Sequence, residues 1–285
     1  MHMAPTAFSK PANAARTLMI QSVRKVFHDR GETPVVRSDN ALFPPGSVIR
    51  RVNGDVTAMM IGGIAALLLQ MLHPAALAGI WDYSAFREDM VGRLRRTARF
   101  IAITTFADQG EALASIARVK AIHERVKGSL PDGAAYAASD PELLAWVHAC
   151  ETWCFLEAWL RFGDPAMSLQ DKNVYVSQSG RVAALLGAAP VPATRAEIVA
   201  LIEVTKPRLR ANERTVEARR IVLDPPGLGP FARPVHRLLT NAAIGLLPDW
   251  ARGMHGLPYR PLNEFEAAAG ATAIARVLRW AFDSR

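Results

Sequence analysis

Apolar residues recur along this chain at spacings of three and four, and no run of segments alternates with a period of two. The pattern predicts an all-α fold. Its most apolar segment, residues 56–72, is interrupted only by Thr57 and Gln70 and lies between Asp55 and His73. Asp55 is placed to cap that helix, and His73-Pro74 to stop or kink it. Gly62 and Gly63 within it predict close packing against another helix. Trp81-Asp82-Tyr83-Ser84 reads as a turn leading into a helix at about 91–106, which Asp108 and Gly110 break; a further helix at about 111–127 is expected to end at Gly128.

Ser139-Asp140-Pro141-Glu142 is a strong helix start, and the segment that follows to Phe162 is apolar on most sides, which predicts a central position. Helices at 171–186, 235–247 and 262–282 complete the second half, with a capping box at Thr194-Arg195-Ala196-Glu197 before another. Pro34, Pro44, Pro45 and Gly46 mark 31–50 as an extended connector, and 223–234 as a Pro/Gly-rich loop. Residues 1–14 read as a loose leader, 16–30 as a basic amphipathic helix, and 15–285 as one domain without repeats.

The chain carries a formal charge of +8, most of it arginine. Nucleic acid is not the expected partner, because no basic run is interleaved with stacking aromatics. Arginines on solvated helix faces account for the charge, although the 16–30 helix leaves peripheral membrane contact open. No segment reaches the roughly 20 apolar residues of a membrane span. Cys150 and Cys154 lie four apart on an apolar helix, a spacing unsuited to a disulfide, so two buried thiols in a reducing, cytoplasmic setting are expected.

Candidate chemistry is confined to polar residues among apolar ones. No Walker loop, dinucleotide fingerprint, His-Glu-x-x-His zinc pattern or Gly-x-Ser-x-Gly elbow occurs. Arg93, Arg96 and Thr97 share one helix face that runs on into Phe100, Ile101 and Thr104, expected to be buried. Two arginines there need anionic partners, either carboxylates of the same fold or a bound ligand. His123 falls on the apolar stripe of Ile116, Val119 and Val126; it is either a hydrogen-bonded core residue or an axial ligand to iron. His73 and His148 flank very apolar helices, and a three-histidine metal site with His123 is the less favoured alternative.

The ordered series Gly62-Gly63, Leu69-Gln70, His73-Pro74, Trp81-Asp82-Tyr83-Ser84 with Phe86, Gly92-Arg93-x-x-Arg96-Thr97, Arg118-Val119-x-x-x-His123 and Asp140-Pro141-Glu142-Leu143 with Trp146-Val147-His148 resembles the catalytic domain of the latex clearing protein and MpaB oxygenase family. The resemblance spans roughly residues 50–250. It implies a single helical domain packed in globin-like style around a central cavity that holds haem b. By the same resemblance His123 is the metal ligand, Arg93 and Arg96 bind the cofactor, and Arg93 with Thr97 acts on the bound oxidant, dioxygen or peroxide. His148 is a candidate proton donor. Two departures turn the expectation from polyisoprene toward a small apolar substrate, terpenoid or lipid. Arg96 replaces a lysine able to reach iron, and an arginine has no free lone pair for that. The family's proposed glutamate base has no counterpart in the matching segments. A non-catalytic haem- or ligand-binding protein is the alternative, and the oligomeric state is not legible.

Overall fold

The computed structural model describes residues 33–229 and 233–257, with further positions at 269, 270, 272 and 273. The expected leader at 1–14 and helix at 16–30 lie outside the described residues, as does almost all of the expected helix at 262–282. Eleven α-helices occur among the described residues, numbered α1 to α11 below. They are α1 (Val48–Asn53), α2 (Val56–Gln70), α3 (Pro74–Tyr83), α4 (Met90–Phe106), α5 (Gln109–His123), α6 (Pro141–Phe162), α7 (Leu169–Leu186), α8 (Arg195–Thr205), α9 (Glu213–Leu223), α10 (Arg233–Leu246) and α11 (Asp249–Met254). The chain is an all-α domain, as its periodicity predicts.

Side-chain caps set most of the helix starts. Asp55 accepts from Ala58 N, Asp89 from Gly92 N and Asp108 from Gly110 N. Asp140 accepts from both Glu142 N and Leu143 N, and Thr194 from Glu197 N. Each satisfies a backbone donor that has no partner within its helix. α2 stops at Gln70, and α3 leaves it at 107°. Pro74, at the first position of α3, fits that bend because its missing N–H costs nothing there.

The core is the pairing of α2 with α6. The two helices cross at Gly62, where an added Cβ would stand 2.9 Å from the Cys154 carbonyl oxygen and 2.9 Å from Phe155 Cα. Only a glycine allows that approach. α10 packs on α2, while α7 and α8 pack on α6. The far end of α2 is buried, so its last carbonyls need partners inside the protein. His255 Nε2 meets Leu68 O at 2.7 Å, Trp146 Nε1 donates to Gln70 O at 3.4 Å, and Arg210 N donates to Leu72 O at 2.8 Å.

Three elements differ from expectation. α5 ends at His123 instead of running to Gly128, because Lys127–Ser129 forms β1 and pairs antiparallel with β2 (Ala135–Ala137). Gly128 lies against the Tyr136 ring, with a built Cβ only 3.0 Å away. Strands of three residues are too short to show a period of two. Trp81, Asp82 and Tyr83 finish α3 instead of forming a turn, and α7 begins two residues early, capped by Ser168.

The segment around Trp81 is a structural strap. The Tyr136 hydroxyl donates to Asp82 Oδ2 at 2.7 Å, and Arg214 Nη1 reaches Asp82 Oδ1 at 3.4 Å. Trp81 lies between the guanidiniums of Arg87 and Arg214, at 4.9 and 5.3 Å. Several residues that carry the sequence resemblance thus hold the fold together.

Candidate functional site

The middle of α6 is sealed at Ala149, Cys150, Thr152 and Cys154, all buried. Val147, His148 and Glu151, between and beside them, keep accessible surface. Their spacing puts them on one face of the helix. α2 shows the same feature at Met59, Met60, Gly63 and Leu67. The two faces adjoin, since a Cβ on Gly63 would lie 3.7 Å from the Phe155 ring. Partly exposed residues thus form stripes on the two central helices.

α4 and α5 form an antiparallel hairpin. Its closed end is tied to the connector before α1. Ser38 N donates to Phe106 O at 2.8 Å, Gln109 N to Asn40 O at 2.8 Å, and Asn40 Nδ2 to Asp108 Oδ2 at 3.0 Å. Arg37 and Arg50 stack over Phe106. α4 otherwise packs chiefly on α1 and α5, and α5 on α4 and α7. At the hairpin's open end Met90, at the start of α4, is buried in the core cluster. Arg93, near the start of α4, and His123, at the end of α5, both sit at that open end.

Arg93, Arg96 and Thr97 do not share one burial. Arg93 is half-buried, whereas Arg96 and Thr97 are exposed. Arg96 Nη1 reaches Asp89 Oδ2 at 3.4 Å on the surface. The expected buried face holds at Thr104, but Phe100 and Ile101 stay half-buried. Besides the anchored end, Met90 and Gly92 at the start of α4 are buried. The Arg93 guanidinium lies deep enough that burial, then the nearby Arg96 charge, lowers its pKa; Glu151 opposes this. An arginine so perturbed is still cationic.

The His123 ring is half-buried, and its Nδ1 is buried without a hydrogen-bond partner. Burial first, and the Arg93 charge second, lower its pKa and favour the neutral ring. His148 is held neutral by burial alone, its pKa lowered to about 4, with Thr152 Oγ1 at 3.4 Å. It offers an N–H but not an imidazolium at neutral pH, which weakens its expected part as proton donor. His73 occupies the N-cap position of α3, its ring centre 6.2 Å from that of Trp146, with its pKa also lowered to about 4. Among the described residues no three His, Cys, Asp or Glu side chains gather to hold a metal ion, so the three-histidine alternative fails.

Sequence reasoning missed Glu151. Burial raises its pKa, opposed by the Gln70 side chain and the Arg93 charge. The one available signal was a lone acidic residue, one turn after His148, in the apolar run of α6. Arg93 and Glu151 each favour the other's charged form.

Arg93, Glu151 and an imidazole with one unsatisfied nitrogen thus fall on α4, α6 and α5. The unpartnered His123 nitrogen has the chemistry of an iron ligand, and Arg93 that of a carboxylate partner, the residue types on which a haem would call. Two surface clefts lie elsewhere. One of about 520 Å³ is lined by Leu169, Asn173, Val174 and Ala193, and one of about 290 Å³ by Glu157, Leu160, Arg161 and Leu246.

Comparison with known proteins gives one family. The model described as "ER-bound oxygenase mpaB/B'/Rubber oxygenase, catalytic domain" matches residues 50–280. No curated protein and no solved structure matches the chain.

Proposed function

The chain belongs to the family of ER-bound oxygenase mpaB/B' and rubber oxygenase catalytic domains, and from that premise we propose that it is a haem-b-dependent oxygenase acting on a small apolar substrate, terpenoid or lipid, with dioxygen or peroxide. The observation that carries this reading is the buried, unpartnered His123 Nδ1, whose charge state the Arg93 cation influences, at the open end of the α4–α5 hairpin. His123 would hold the iron, and Arg93 with Arg96 would meet the propionates. The haem, when bound, supplies the iron that activates oxygen.

The chain's own residues divide the remaining work. Met59, Met60, Leu67, Val147 and Phe155 give the apolar walls that take up a hydrocarbon and exclude water. Arg93 stays charged inside them and holds a strongly polar or anionic group in place. Thr97 and Arg96, on the outward side of α4, meet what projects from the rim. Two buried free thiols support a cytoplasmic setting. The non-catalytic alternative drew its support from a missing carboxyl, and Glu151 weakens it.

The test is an absorption spectrum. Protein expressed with haem precursor is expected to show a Soret band that His123→Ala abolishes while the thermal midpoint of the haem-free form stays within a few degrees. A protein that takes up no haem overturns the reading, and so does a His123→Ala variant with an unchanged spectrum.

A further inference from the structure

α5 is apolar over most of its circumference, yet it is packed on one side only. Ala112, Ser115 and Ile116 are buried, and Val119 and His123 half-buried. At 3.6 residues per turn these five share one face. The face opposite carries Ala114, Ala117 and Ala121, all exposed, with Leu113 and Ile122 at 39% and 47% exposure on its two edges. A helix apolar on both faces ordinarily buries both. Among the described residues nothing buries the outer one.

Cations frame this face. Lys120 lies on the Leu113 edge and Arg118 on the Ile122 edge, each about 80° round the helix from the centre of the alanine stripe. Arg125 and Lys127 follow where the helix ends. All four are exposed, and none is ion-paired to a carboxylate among the described residues. The carboxylates of this stretch are Glu111 and Glu124, one at each end of α5. Tyr83 stands beside the helix end, 54% exposed, and its hydroxyl donates to Lys127 O at 2.6 Å.

Three occupants compete for such a face. A second copy of this chain, paired about a two-fold axis, would bring the same cations together. Residues 16–30 carry Arg16, Arg24, Lys25 and Arg30 against a single acid, Asp29, so like charge opposes them as well. An anionic bilayer surface instead attracts the cations while its acyl boundary takes up the apolar side chains. Tyrosine is enriched at that same depth.

We propose that the outer face of α5 is a membrane-contact surface that lies in the plane of an anionic bilayer. Leu113, Ala117, Ala121 and Ile122 enter the boundary between headgroups and acyl chains, and Arg118, Lys120, Arg125 and Lys127 meet lipid phosphates, with Tyr83 at the rim. At 15 residues α5 is too short to cross the bilayer, so it rests on it. The inference stands independently of haem. It goes beyond the oxygenase reading by giving an apolar substrate a source, since the helix that meets the lipid is the one that ends in His123.

Vesicle flotation of the purified full chain tests it, with phosphatidylcholine alone or mixed with roughly one third phosphatidylserine. The wild type is expected to float with the anionic vesicles, about tenfold more weakly with the neutral ones, and to be released by high salt. Arg118→Gln combined with Lys120→Gln should weaken anionic binding by about tenfold or more, because each cation near such a surface contributes about fivefold. Ile122→Asp should abolish it. All three positions are exposed, so the thermal midpoint is expected to stay at the wild-type value. A polarity-sensitive dye on Ile122→Cys should shift to the blue with anionic vesicles, the two native thiols being buried. A wild type that stays unbound overturns the inference. Binding that survives the Arg118 and Lys120 changes but falls with Arg24→Gln and Lys25→Gln also overturns it, and assigns the contact to residues 16–30. A dimer that Ile122→Asp dissociates, with no vesicle binding, assigns the face to a second copy and overturns it too. A missing Soret band changes none of these outcomes, so the two readings fail separately.

Discussion

The α2–α6 crossing and the α4–α5 hairpin are both made of helices of ordinary amphipathic or apolar sequence, yet they treat space in opposite ways. At Gly62 two backbones approach until no side-chain atom fits between them, and the helices bury Ile61, Leu68, Leu69, Trp146 and Leu156 almost completely. The hairpin is tied at its closed end and by its neighbours α1 and α7, and at its other end Met90 is buried while Arg93 and His123 keep accessible surface. Stability is concentrated in the first region and chemistry in the second.

The largest test of that division is Gly62→Val. Its new carbon would meet backbone atoms that have no rotamer to move into, so a loss of about 3 kcal/mol or more is expected, at the upper end of overpacking costs. Urea unfolding would measure it, and a variant as stable as wild type would mean the two backbones can part at little cost. Gly63→Ala, whose new carbon would lie 3.7 Å from the Phe155 ring, should cost far less.

Acid is the next lever. Burial lowers the folded pKa of His73 and of His148 to about 4, against 6.5 for the free side chain. As pH falls the unfolded chain takes up these protons first, so stability is intact above pH 6.5 and drains away between 6.5 and 4. Each ring accounts for up to roughly 3 kcal/mol of that loss, since every tenfold drop in proton affinity on folding is worth about 1.4 kcal/mol. His148→Phe is expected to flatten part of the slope in a urea series from about pH 7 to about pH 4. An unchanged slope would show that the ring reaches water when charged.

The smallest effect belongs to the outer face of the hairpin. Arg96 and Asp89 are largely solvated, and removing such a bridge by Arg96→Ala should change stability by less than about 1 kcal/mol. Its effect should show instead in haem retention. Equal haem affinity in wild type and variant would remove Arg96 from the cofactor's surroundings.

Much of this structure is legible in the sequence, for local reasons. Asp55, Asp140 and Thr194 announce their helices because a cap acts within three residues, and Gly62 stands out because nothing else explains a glycine pair inside so apolar a helix. The burial of α4 past Arg93 is not legible, because periodicity assigns a face but not how closely a neighbour approaches it. Glu151 escapes sequence reasoning for the same cause. Its surroundings come from Gln70, 81 residues earlier, and Arg93, 58 residues earlier. Nothing near it in the chain distinguishes it from a solvated helix carboxylate.

Asp82 binds residues 54 and 132 positions away with its two oxygens, one to a hydroxyl and one to a guanidinium. Changing the aspartate alone strands both partners, and changing either partner alone leaves a lopsided acid. Across related chains, positions 82, 136 and 214 are therefore expected to drift together or stand still together, a correlated triplet that an alignment of many members would reveal.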